Sequence, residues 1–127
     1  MPTANLNNTG ELIDTGKDSI VIVNLIETIP GGRTLNVTGV TDAVIKAGHV
    51  IIKETATGDF KPQPVTAGVY DALPAGHTYA GVLVSSILTA KPFASILVRG
   101  SVNEVASPYA PLSAAKTALP LIRFTQD

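Results

Sequence analysis

His49 and His77 each follow an Ala-Gly pair, in "KAGHVI" and "PAGHTY", and with a carboxylate such as Asp59 or Asp71 they would supply the donor types of a metal site or an acid–base pair. Their spacing argues against both: His77 lies 28 positions after His49, and no close ligand spacing accompanies either. The simpler reading is that they are solvated residues at strand entrances. Ser85 and Ser86 fall in an apolar run without the Gly-x-Ser-x-Gly turn that exposes a nucleophile, so no triad is expected. "PGGRT" at 30–34 has neither Gly-x-Gly-x-x-Gly nor a terminal Gly-Lys-Ser/Thr, and reads as a loop rather than a phosphate cradle. Cysteine is absent, which excludes thiol chemistry and thiolate ligands. No catalytic, cofactor-binding or metal-binding residue is therefore assigned, and the chain reads as a non-enzyme.

Lys91 sits at the tip of an apolar hairpin, where lipoyl and biotinyl carrier domains hold a swinging cofactor. Its flanks, Ala90 and Pro92, are not those of such domains. Asn7 and Asn36 stand in formal glycosylation sequons, but the N-terminal stretch lacks the basic-then-apolar order of a secretion signal, so synthesis and folding in the cytoplasm are expected. Nine basic and ten acidic residues give a net charge of -1, with no electrostatic footprint for nucleic acid or an acidic membrane. Charged residues make up 15% of the chain, against about 25% in an average soluble domain. A surface so poor in charge favours contact with other protein.

The elements that must carry these residues are strands. Residues 1–18 are polar and turn-rich and read as an N-terminal arm; residues 19–127 read as one β domain. "SIVIVNLIE" from Ser19 is β-branched on both faces and suits a central or doubly covered strand better than a helix. "TLNVTGV" alternates, with Leu35 and Val37 on one face, and "ATGD" closes a hairpin towards "FKPQPV", whose prolines suit a sheet edge. The apolar runs 80–88 and 93–98 are too short to span a membrane as helices and read as buried strands about a "TAKP" turn. Alternation puts Ile96, Val98, Gly100 and Val102 on one core face. Ser113 is placed to cap a short helix that Pro120 ends, before a final strand "LIRFT". The expected architecture is an all-β barrel or sandwich with one short helix near the C-terminus.

Taken in order, "VIKAGHVIIKETATGDFKP", "YAGVLVSSILTAKPFASILVRGSVN" and "SAAKTALPLIRFT" resemble bacteriophage head decoration proteins of the lambda type. The likeness rests on a "KAG" strand entry, a "TGDFKP"-like hairpin, an "AGVL" strand, a strand ending "VRGSV" and a short helix before a terminal strand. It covers roughly residues 44–124. Ser19–Val40 departs from it, as a head-fibre base or auxiliary capsid variant would. The resemblance implies a β-tulip-like domain, commonly a homotrimer, that docks on the major capsid protein at the outer surface of the virion and reinforces the head against internal pressure.

Under that expectation Tyr70, Tyr79, Phe93 and Tyr109 are candidate interface anchors, and Leu6, Leu12 and Ile13 are candidate capsid contacts of the arm. Burying those three arm side chains yields roughly 5–9 kcal/mol, whereas fixing the arm's backbone costs about 18 kcal/mol or more. The arm is thus expected to order only where it gains main-chain hydrogen bonds from the shell. A glycan-binding head-fibre protein is the alternative, and a small enzyme would need His49, His77 and one acid to meet in a pocket.

Overall fold

The β-branched runs assemble into one six-stranded sheet and three two-stranded ribbons, giving the all-β domain that the sequence predicts. The computed structural model describes Gly16 and residues 18–126; Leu6, Leu12 and Ile13 lie outside the described residues. In chain order the elements are α1 (Asp18–Val21), β1 (Ile22–Thr28), β2 (Arg33–Thr34), β3 (Val44–Ile45), β4 (Val50–Glu54), β5 (Phe60–Pro62), β6 (Val65–Thr66), β7 (Val69–Tyr70), β8 (His77–Leu83), β9 (Ile87–Leu88), β10 (Phe93–Ala94), β11 (Ile96–Asn103), α2 (Ser113–Ala118) and β12 (Ile122–Thr125). The main sheet runs β1-β11-β8-β4-β5, antiparallel throughout, and β12 joins β11 in parallel. Along one side of β11, β8 pairs with Ile96–Leu97 and β12 with Gly100–Asn103; β1 takes the other side.

Both faces of this sheet carry core, which explains why its strands are apolar at successive positions. Val82 and Leu97 pack with Val21, Val102, Leu119 and Ile122, whereas their chain neighbours Leu83 and Ile96 pack with Leu35, Ile45, Ile51 and Ala94. Ile96 and Val102 therefore do not share a face, contrary to simple alternation. The cause lies between them. The β1–β11 register shifts three times, and Gly100 adopts φ +154°, where a Cβ would collide with the Asn24 carbonyl. One irregular step in β11 inverts the pleat and hands its second half to the opposite cluster.

Three other expectations need correction. β1 is not a central strand but the open edge of the sheet, with residues 23–27 exposed. The run 80–88 is not one strand: it breaks at Ser85–Ser86, where Asp18 intervenes. Asp18 Oδ2 accepts from the Ser86 amide (2.9 Å) and Oδ1 from its hydroxyl (2.8 Å), while Ser86 Oγ accepts from the Ala47 amide (3.0 Å). This clamp fixes where the N-terminal chain joins the domain. Ser113 is the first residue of α2 rather than its cap; Leu112 holds the N-cap position without a side-chain hydrogen bond.

Candidate functional site

The turn 46–49 delivers His49 to the interior because Gly48 adopts φ +91°, and a Cβ there would lie 2.5 Å from Val21 Cγ1. The Gly48 amide donates to the Leu83 carbonyl (2.8 Å) and the Leu83 amide to the His49 carbonyl (2.9 Å), so the turn is tied to β8. The imidazole is buried, and its Nε2 lies 2.9 Å from the Gln63 carbonyl. A carbonyl only accepts, so Nε2 carries the proton and Nδ1 keeps its lone pair. Tyr70 and Tyr109 meet the ring edge-on, at centroid distances of 5.3 and 5.7 Å, and hold its plane. Tyr70 is itself fixed, its hydroxyl accepting from the Val50 amide at 3.0 Å. Burial pushes the His49 pKa below its ordinary value, against the opposing pull of the Gln63 hydrogen bond and the Asp42 charge. Burial likewise pushes the Tyr70 phenol up.

Above His49 opens a cavity of about 390 Å3, within the size range of small-molecule sites. One wall is the loop 36–46, including Thr41, Asp42 and Lys46; the other is the Pro62–Val65 segment with Pro74 and His77. Tyr109 also lines it. Lys61 stands between two acceptors, 3.0 Å from Glu54 Oε2 and 3.4 Å from His77 Nε2, and His77 Nδ1 donates to the Ala75 carbonyl at 3.0 Å. The hydrogen bonds from Lys61 and Thr57 hold the Glu54 carboxyl below the usual range.

A second feature lies at the opposite edge of the sheet. Ile20, Val23, Leu25 and Ile26 are 53%, 53%, 49% and 57% exposed, on both faces of α1–β1. The other sheet edge is closed. Phe60 of β5 bridges to Leu35, the Asn36 amide donates to the Phe60 carbonyl (2.8 Å), and Pro62 and Pro64 follow. Among the described residues β1 is thus the open edge of the main sheet, and it is mostly apolar.

His49 and His77 do line one cavity, but the acid beside them is Asp42, not Asp59 or Asp71. Asp59 accepts from the Asn36 side chain (3.5 Å) and Asp71 from the Thr66 hydroxyl (2.9 Å). Among the described residues no three His, Asp or Glu side chains converge to hold a metal. Of the four aromatic candidates, Tyr70 is in the core, Tyr79 and Tyr109 are half-buried, and Phe93 is 62% exposed. Lys91 is exposed at its turn. Asp42, Gln63 and the loop that forms one wall carried no motif; the one available signal was that Asp42 interrupts an otherwise uncharged stretch, 34–45, just before the "KAGH" turn. The chain matches no protein-family model, no curated protein and no solved structure.

Proposed function

We propose that the chain is a non-enzymatic structural protein of a phage particle, one that decorates the outer capsid surface and stabilises the head against internal pressure. The observation that carries the reading is β1: an apolar strand, exposed on both faces, at the open edge of the sheet and next to the point where residues 1–17 join the domain. In isolation such an edge invites association, and natural monomers blunt it with charge or proline. β1 contains no proline and a single charge, Glu27, near its C-terminal end. Each exposed side chain is about half uncovered, so completing its burial is worth about 1 kcal/mol. The occupant of β1 is a further copy of this chain: a net charge of -1 sets up little repulsion between copies, and every copy carries the same exposed apolar strand. The ordered sequence likeness to head decoration proteins supplies the trimer and the major capsid protein as partner. The segment 1–17 is the part assigned to the shell.

The test compares the full chain with a truncation starting at Asp18, for thermal melting and for co-sedimentation with undecorated heads. The expected result is an unchanged melt and much weaker binding by the truncated chain. Equal binding would make residues 1–17 a passive tail, and failure of both proteins to bind heads would remove the decoration role.

A further inference from the structure

The cavity above His49 presents a mixture of groups that restricts what it can hold. His49 lines the cavity and its Nδ1 has no hydrogen-bond partner among the described residues, so the ring offers an acceptor whose orientation the Gln63 hydrogen bond and two tyrosine rings fix. Asp42, on the facing loop, adds a carboxylate acceptor without a hydrogen bond from any described side chain. The walls carry charges of both signs, so an anion meets Asp42. A cation meets Lys46 and Lys61 in the same walls. A wholly apolar guest would strip water from Asp42 and from the Nδ1 lone pair without replacing their hydrogen bonds. What remains is an uncharged molecule with hydroxyl donors on one side and C–H surface on the other. Pro62, Pro64 and Pro74, together with the half-buried Tyr109 ring, supply the complementary apolar wall.

We propose that this cavity is a saccharide-binding site, in which His49 Nδ1 and the Asp42 carboxylate accept sugar hydroxyls while Tyr109 and the three prolines pack on the sugar's C–H face. The site lies away from β1, so a chain assembled through β1 keeps it accessible. A decorating protein with such a site would attach a particle to glycan-coated surfaces.

The test uses the full chain, 15N-labelled, with glucose, galactose, mannose and N-acetylglucosamine titrated singly to tens of millimolar. Long-range 1H–15N spectra report the imidazole nitrogens directly. The expected result is that at least one sugar moves the His49 Nδ1 resonance while the His49 Nε2–H, bonded inside the fold, stays nearly fixed. His49→Ala would leave the Gln63 carbonyl buried and unpaired and threatens folding, so the deciding variant is Asp42→Asn, in an exposed loop. It should weaken binding about tenfold, the difference between a charge-assisted hydrogen bond and the neutral one that the amide oxygen can still accept. Absence of any His49 shift with all four sugars, or a shift whose affinity Asp42→Asn leaves unchanged, would overturn the proposal.

Discussion

Strand β4 carries Val50, Ile51 and Ile52 at 0%, 0% and 1% exposure, whereas β1 carries Val23, Leu25 and Ile26 at 53%, 49% and 57%. The two strands use the same β-branched and aliphatic vocabulary and pair antiparallel with their neighbours. Their positions differ. β4 lies between β8 and β5 with apolar side chains packed on both faces, while β1 has β11 on one side and, among the described residues, no strand on the other. An apolar pattern on both faces therefore states that a strand needs cover on both faces, and is silent on whether the same chain provides it. In β4 the fold provides it; in β1 we assign it to a second copy.

Matched truncations should separate the two regions most strongly. Ile51→Ala removes a fully buried side chain and should cost about 2–5 kcal/mol, read as a lowered denaturant midpoint. Ile26→Ala, in dilute protein, should change the same midpoint by less than about 0.5 kcal/mol. Equal losses would mean that β1 belongs to the core of the single chain and would erase the contrast.

A smaller effect probes the polar support behind β4. Tyr70→Phe keeps the ring against His49 and Tyr109 but removes the acceptor of the buried Val50 amide, at an expected cost of about 1–3 kcal/mol in chemical denaturation. No loss would mean that the Val50 amide finds another partner.

The pH dependence should be smaller still. Burial holds the His49 pKa below 6.5, so on acidification the unfolded chain binds a proton there before the folded one does. The His49 contribution is complete above about pH 6.5 and is lost as pH falls from 6.5 through the lower folded value. Glu54 and Glu104, both held below 4.5, chiefly by hydrogen bonds from Lys61 and Lys116, add a second decline at lower pH. His49→Gln, whose amide can still donate to the Gln63 carbonyl, should flatten the first decline in a melting series and leave the second. An unaltered first decline would place its origin elsewhere.

Much of the β4–β8 half was legible in the sequence, because local signals and the final contacts agree there: the "ATGD" hairpin and the proline-marked edge at β5 form where their turn residues place them, and the C-terminal helix and strand also form, although Ser113 does not cap the helix. The failures have a common physical source in non-local contacts. Nothing near Gly100 in sequence announces that β11 must step past the Asn24 carbonyl, and nothing in "VSSI" announces that Asp18 will clamp Ser86 across 68 positions. The cavity was half legible. "AGH" marked both histidines, but the third polar group came from a loop whose only distinction was one carboxylate, and the Gln63 carbonyl that sets the His49 tautomer is backbone, which no side-chain pattern encodes.

Whether another copy of the chain covers β1 is decided by sedimentation equilibrium of the full chain beside Leu25→Lys at tens of micromolar. Leu25 is half exposed in the strand, so lysine there should leave the fold and its melt unchanged while placing a charge in the contact. We expect the full chain to sediment well above the 13.1 kDa of one copy, as a trimer, and Leu25→Lys to sediment as a single copy with the same melting temperature. A full chain that stays at 13.1 kDa across that range, or a Leu25→Lys protein that associates as strongly as the unsubstituted chain, would contradict cover of β1 by a second copy.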